Sequence, residues 1–374
     1  MKRREFLTAA ALGTGISALS VFGEKPAPAD EPAVEPAIEP AAAPPKEIVG
    51  DPRVRGPFPI LSTPYTESGE VDFDVLAKEA RFIDWCGSSG MIWPQSNDSI
   101  ELLTMDEKLR GMTVLAETMK GRSSALCLGV QGKDTEEMLV YARHAASLNP
   151  TAIISRPPDS GTSQEDMRDY WRALAREVSC PVIIQTFGGG QYKGPGASVE
   201  LLIELGTEFP HFGYVKEETQ PVAERMVKLL AARPAIKRVF AAYGGFGWLH
   251  RFRIGAEGLI TERAVYADLL QKIWTTYNSG DSLHAAELYA KYLLMLDLRE
   301  TIPCQQLRGY HLYVWQKRGV FKNRLSREFG PKNTIPEKPI LSDLKLTSEQ
   351  TDEIDLRFEV IRSELREGNF EAQR

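Results

Sequence analysis

From Gly56 onward, short apolar runs alternate with longer stretches in which apolar positions recur every three or four residues. The short runs, at 57–62, 90–94, 124–130, 152–155, 182–186, 213–216, 238–242 and 258–261, read as strands. Between them 72–86, 105–119, 135–146, 163–177, 199–208, 220–232 and 246–254 carry the helical period. Strands in strict alternation with helices predict parallel pairing through right-handed crossovers. At this chain length the pattern favours a closed (β/α)8 TIM barrel over an open doubly wound sheet. No G-x-G-x-x-G opens the first βα unit, which weakens a dinucleotide-binding alternative. Gly188-Gly189-Gly190 follows a strand, but no helix starts there at once, so it is a weak phosphate-loop signal.

Beyond the eighth strand the helical period returns at 265–299 and 302–317, followed by a Pro-rich crossing and a last helix near 348–366. Leu283, Leu288, Tyr289, Tyr292 and Leu296 keep helical spacing and read as a packing face. This C-terminal helical extension, 265–374, covers one side of the barrel or builds a subunit interface. The barrel itself is expected over 51–264.

The N-terminal residues change the picture of where the domain starts. Lys2-Arg3-Arg4-Glu5-Phe6-Leu7 is a twin-arginine pattern, and a mild run of small apolar residues follows it. Residues 1–23 therefore read as a signal segment, implying export to the periplasm, with membrane tethering only if the leader stays uncleaved. Residues 24–50 are almost wholly Pro, Ala, Glu and Asp and read as a disordered linker, because they cannot bury apolar area to offset ordering entropy.

Composition narrows the function. The chain of 374 residues is 43% hydrophobic, enough for one large core, and its net charge of -6 argues against a nucleic-acid surface. Cys86, Cys127, Cys180 and Cys304 form no C-x-x-C pair, which speaks against a disulfide framework or a thiolate metal site. The histidines His144, His211, His250, His284 and His311 show no ligand spacing, so no metal is expected. Trp171 and Trp248 sit in helical patterns and read as core.

Several local patterns occur in one order. Thr63-Pro64-Tyr65 precedes Gly69-Glu70-Val71-Asp72, and Leu103-Thr104-Met105-Asp106-Glu107 follows as an L-[ST]-x-x-E helix start. Gly121-Arg122 leads to Leu128-Gly129-Val130, then Thr135-Glu136-Glu137 opens a helix with Ala142, Ala145 and Ala146. Arg156-Pro157-Pro158, Gly213-Tyr214-Val215-Lys216-Glu217 and Gly255-Ala256-Glu257-Gly258-Leu259-Ile260 complete the series. Together they resemble the dihydrodipicolinate synthase/N-acetylneuraminate lyase family over about 53–366. The resemblance implies a class I aldolase barrel whose Schiff-base lysine is Lys216, working without cofactor or metal. It also implies a small-molecule keto-acid partner and a homo-oligomer, dimer or tetramer.

Lys216 closes a strand at the expected C-terminal mouth of the barrel, where such folds keep their chemistry. Loss of hydration there favours a neutral, nucleophilic amine, able to condense with a 2-keto acid to an iminium. A surface lysine paired with Glu217 and Glu218 is the plain alternative.

The chain also departs from the family pattern. Its G-T-T-G-E loop corresponds to Gln95-Ser96-Asn97-Asp98-Ser99, where Ser96 and Asn97 can still bind a carboxylate. The family's catalytic tyrosine corresponds to Gln185, which can hold a substrate oxygen but cannot shuttle a proton. The proton-relaying tyrosine pair corresponds to Asp159-Ser160, and the family's arginine to Gly190. Strand alternation puts Tyr214 on the side of Lys216, as a candidate proton carrier. Arg156 and Asp159 are candidates for a carboxylate clamp and a base, and Tyr243 and Gly244 end strand seven at the mouth. The departures argue against true dihydrodipicolinate synthase activity. A Schiff-base lyase or aldolase on a pyruvate-type or sugar-acid-derived substrate is the leading expectation, with a Schiff-base dehydratase or a non-catalytic periplasmic binding or structural barrel as alternatives.

Overall fold

The computed structural model describes residues 49–372, apart from 97–99, 190, 303–306 and 369. The signal segment 1–23, nearly all of the linker 24–50, Asn97, Gly190 and Cys304 lie outside the described residues.

The first half of the barrel is built of β1 (Gly56–Pro59), α1 (Phe73–Trp85), β2 (Gly90–Trp93), α2 (Met105–Met119), β3 (Ala125–Gly129), α3 (Thr135–Ser147), β4 (Ala152–Ser155) and α4 (Gln164–Glu177). The second half follows as β5 (Val182–Gln185), α5 (Val199–Glu208), β6 (Tyr214–Lys216), α6 (Val222–Ala231), β7 (Arg238–Phe240), α7 (Trp248–Ile254), β8 (Gly258–Thr261) and α8 (Ala267–Asn278). The helix starts are written in the sequence. Asp72, Thr104, Asp134, Ser163 and Ser198 each accept a backbone N–H of the first turn, and Thr104 with Glu107 forms a reciprocal capping box.

Strands β2 to β7 pair in chain order, all parallel, and β1 pairs with β8. Single parallel bridges, Ile60 to Ile92 and Ala241 to Leu259, join the two sets and close the ring. The strands are nearly continuous apolar runs because both faces are covered. Inward positions form their own cluster, including Phe58, Ile60, Ile92, Cys127, Ile154, Ile183, Tyr214, Phe240 and Ile260. Outward positions pack with the helices in a larger cluster that holds Trp171 and Trp248, both fully buried.

Two expectations about the extension change. The stretch 265–299 is not one helix: Gly280 at φ +95° ends α8, and Asp281 caps a new helix, α9 (Ser282–Leu296). Helix α8 packs against β1 and α9, so it is the eighth barrel helix, and the barrel runs to Asn278 rather than 264. Of the proposed packing face, Leu288, Tyr289, Tyr292 and Leu296 are buried, while Leu283 is 75% exposed in the first turn.

The rest of the extension is α10 (Leu298–Thr301), α11 (Leu307–Lys317), β9 (Leu325–Glu328), β10 (Ile340–Asp343) and α12 (Ser348–Ile361). The Pro-rich crossing thus contains an antiparallel strand pair. From β9, Arg327 reaches the loops after β1 and β2. It donates to Gly69 O at 2.8 Å and Leu102 O at 3.0 Å, and ion-pairs with Glu107 at 2.6 Å. The extension therefore borders the same end of the barrel as the loops that follow the strands.

Candidate active site

Strand parity builds the mouth. Two residues beyond the inward Ile154, Ile183, Tyr214 and Ile260 come Arg156, Gln185, Lys216 and Glu262. Four polar side chains thus crown an apolar barrel interior, on the C-terminal side where the strand-following loops converge. Above them opens a cavity of about 390 Å³, bordered by Ser96, Gln185, Gly189, Glu218, Tyr243, Gly244 and Glu262, with Phe187, Phe246, Arg263 and Arg299 at its sides.

Lys216 is only 2% exposed and sits beneath two residues that border the cavity. Its Nζ donates to Gln185 Oε1 at 3.1 Å and ion-pairs with Glu218 Oε1 at 3.2 Å. Glu217, the next residue along the strand, points the other way. Its carboxylate accepts from Thr186 Oγ1 at 2.8 Å and from the Thr219 N–H at 2.7 Å, and pairs with Arg225 at 3.2 Å. Burial pushes the Glu217 carboxyl up, against the pull of Arg225. Of the two glutamates considered as partners of the lysine, Glu218 fills that role, while Glu217 ties the end of β6 to β5 and α6.

Gln185 also donates from Nε2 to Phe187 O at 2.9 Å, which fixes its amide with the oxygen toward the lysine. Tyr214 does lie inside the barrel, but not near the amine. Its hydroxyl accepts the Asp51 backbone N–H at 2.7 Å, at the N-terminal base. Sharing a face does not mean sharing a depth: the ring leans along the strand away from the mouth. The geometry does not support Tyr214 as proton carrier for Lys216.

Arg156 and Asp159 come together, behind the cavity wall. Arg156 Nη1 donates to Ser96 Oγ at 3.0 Å and pairs with Glu101 at 2.8 Å, while Nη2 pairs with Asp159 at 3.2 Å. Burial pushes the Asp159 carboxyl up, against Arg156. A Cβ at Gly189 would lie 2.7 Å from Arg156 Nη1 and 3.1 Å from Ser96 Oγ, so this glycine lets the cavity approach both groups. The Ser96 N–H is held by Gln95 Oε1 at 2.6 Å.

Tyr243 has φ +56° and donates its hydroxyl to Glu218 O, with the Arg251 guanidinium 5.6 Å from its ring centre. The Gly244 carbonyl accepts the Tyr292 hydroxyl at 2.5 Å, so the extension braces this turn from behind. Glu262 and Arg263 escaped notice in the sequence, where they follow an ordinary apolar strand. They ion-pair at 3.1 Å. Burial pushes the Glu262 carboxyl up, but Arg263, the Lys216 charge and the Thr261 hydroxyl outweigh it and hold the group below the usual range. Parity alone could have found Glu262, two positions after the inward Ile260.

Among the described residues, no group of three or more His, Cys, Asp and Glu side chains is placed to hold a metal ion.

The sequence profile of the Dihydrodipicolinate synthetase family matches residues 53–307. The chain belongs to that family. Its curated relatives in the family include a 4-hydroxy-tetrahydrodipicolinate synthase of Chlorobium chlorochromatii (strain CaD3), 24% identical over 67% of this chain and 85% of the relative. A probable 2-dehydro-3-deoxy-D-pentonate aldolase of Escherichia coli (strain K12) is 22% identical over 64% of this chain and 79% of its own length. Among solved structures, N-acetylneuraminate lyase from Fusobacterium nucleatum superposes with a TM-score of 0.67 at 18% identity, covering 84% of this chain and all (100%) of that one. Dihydrodipicolinate synthase from Aquifex aeolicus gives 0.68 at 18% identity, with the same coverage. The family is thus one of lyases and aldolases on a (β/α)8 barrel. The strand pair of the extension, with Arg327, lies beyond the matched residues.

Proposed function

We propose that this protein is a class I, Schiff-base-forming lyase or aldolase acting on a 2-keto acid of the pyruvate or sugar-acid type. The observation that carries the reading is Lys216: a buried amine ending an inward strand position, directly beneath a cavity of about 390 Å³. The lysine condenses with the keto carbon, and the iminium nitrogen then withdraws electrons from the adjacent carbon–carbon bond. Ser96, backed by Arg156, and Arg263 and Arg299 supply donors for the acid end of the substrate. Gln185 holds an oxygen and transfers no proton, which supports a substrate other than that of true dihydrodipicolinate synthases. The twin-arginine leader supports an exported enzyme, and the family supports a homo-oligomer.

A second reading, a barrel that binds but does not turn over, draws on the way Gln185 and Glu218 cover the lysine. One experiment separates the two. The protein is incubated with pyruvate and a panel of 2-keto sugar acids, reduced with borohydride and mapped by peptide mass. The expected result is a keto-acid-dependent adduct on Lys216, lost in Lys216→Ala. Folded protein without an adduct on Lys216 for any compound would refute the aldolase reading and leave the binder.

A further inference from the structure

We infer that Glu218 carries the proton for iminium formation at Lys216, the work that neither Gln185 nor Tyr214 can do. The inference rests on the Schiff-base reading above. Two acceptors touch Lys216 Nζ, Gln185 Oε1 at 3.1 Å and Glu218 Oε1 at 3.2 Å. Of the two, only the carboxylate is an acid–base group that can carry a proton; an amide oxygen accepts a hydrogen bond and passes nothing on.

Glu218 is built to stay where it is. Its N–H donates to Thr186 Oγ1 at 2.8 Å, and its carbonyl accepts the Tyr243 hydroxyl. The backbone is thus tied to β5 on one side and to the turn after β7 on the other, while the side chain borders the cavity at 13% exposure. The carboxylate touches both the amine and the space a substrate would enter. The other acidic groups near the mouth are committed elsewhere. Asp159 pairs with Arg156, Glu217 faces away toward Arg225, and Glu262 pairs with Arg263.

The step balances. Glu218 takes one proton from the Lys216 ammonium, and the freed amine forms a bond to the keto carbon. Glu218 returns that proton to the carbonyl oxygen as the carbonyl π bond breaks, giving a carbinolamine protonated on nitrogen. A second nitrogen proton passes through the carboxylate to the carbinolamine hydroxyl, the carbon–oxygen bond breaks and water leaves. The lysine ends as a protonated iminium, the carboxylate ends as it began, and one water is released. The groups that face this carboxylate and share its field are Lys216 on β6, Tyr243 and Arg251 after β7, and Glu262 and Arg263 after β8.

The test is the rate of borohydride trapping on Lys216 by the keto acid that labels the unaltered protein, compared with Glu218→Gln and Glu218→Asp. Glutamine keeps an acceptor beside Nζ but cannot carry a proton. Its trapping is expected to be about 10²–10⁴ slower while reaching the same final occupancy. Aspartate, which keeps the acid one methylene further away, is expected to fall between the two. Should the glutamine variant fail to fold, as judged by circular dichroism, the aspartate variant decides alone: trapping at the rate of the unaltered protein overturns the inference. Trapping in Glu218→Gln as fast as in the unaltered protein, or faster, overturns it while leaving the Schiff-base reading intact. Absence of any Lys216 adduct in the unaltered protein removes both.

Discussion

Replacing Arg327 with methionine should loosen the strand pair of the C-terminal extension from the barrel mouth. The guanidinium makes five hydrogen bonds there, two to Gly69 O, one to Leu102 O and two to Glu107, and lies 4.8 Å from the Tyr65 ring centre. Arg327 is 4% exposed and Glu107 19%, so the pair is only partly screened. Breaking a buried pair typically costs about 3–5 kcal/mol, and hydrogen bonds to charged groups are worth about 1.5–3. The exposed edge of Glu107 lowers the first figure, and methionine retains part of the packing, so the expected loss is about 2–4 kcal/mol at pH 7. Urea unfolding reads the global change, and hydrogen exchange at β9 and β10 reads the local one. The loss should also depend on pH. Burial pushes the Glu107 carboxyl up, but Arg327 and the Thr104 cap outweigh it and hold it below the ordinary 4.5. A carboxyl lowered in the folded state stabilises above its unfolded pKa, and that contribution vanishes as pH falls through the folded value. The gap between the two proteins should therefore be widest at neutral pH and shrink as the medium becomes acidic enough to protonate Glu107. A gap below about 0.5 kcal/mol at pH 7, or one that stays constant into strong acid, would refute the reasoning.

Two smaller perturbations probe the site from below and from the side. Tyr214→Phe removes the acceptor of the Asp51 N–H and should cost about 1 kcal/mol in urea unfolding while leaving Lys216 trapping unchanged; a tenfold drop in trapping would place the phenol back in the chemistry. Gly189→Ala puts a methyl group 2.7 Å from Arg156 Nη1 and 3.1 Å from Ser96 Oγ. The crowding should cost about 1–2 kcal/mol of keto-acid binding, raising half-saturation of trapping about tenfold. An unchanged half-saturation would show that substrate does not approach this wall.

The strands, the start of α2 and the place of Lys216 at a strand end were legible because each is a local property. Apolar runs of four residues between turn residues announce buried strands, and Thr104 with Glu107 announces a helix start. Tyr214 was misjudged because alternation fixes the face of a side chain and not the end of the barrel toward which it leans. Glu262 was passed over, and Glu218 was read only as the partner of a surface lysine, for a different reason. Each follows a strand in sequence, where it reads as a solvated loop charge, and only closure of the ring turns it inward. The strand pair at Leu325–Glu328 and Ile340–Asp343 was hidden by its mixed composition, since one strand buries only its two central residues and the other buries none fully.

The closing pair of the barrel joins the two ends of its own chain. Gly56 sits opposite Gly258, so β1 must wait for a partner about two hundred residues downstream, a separation that makes such pairing slow. The extension then crosses the seam: Trp315 donates to Ser62 Oγ at 3.2 Å, Asn323 to Tyr65 O at 3.0 Å, and Arg318 pairs with Asp268 at 2.6 Å. A nascent or clipped chain that stops short of β8 would carry two unpaired edges at once, on β1 and on β7. Such edges pair readily with another copy. Full-length synthesis is therefore the step that separates a closed ring from a swapped or aggregated one.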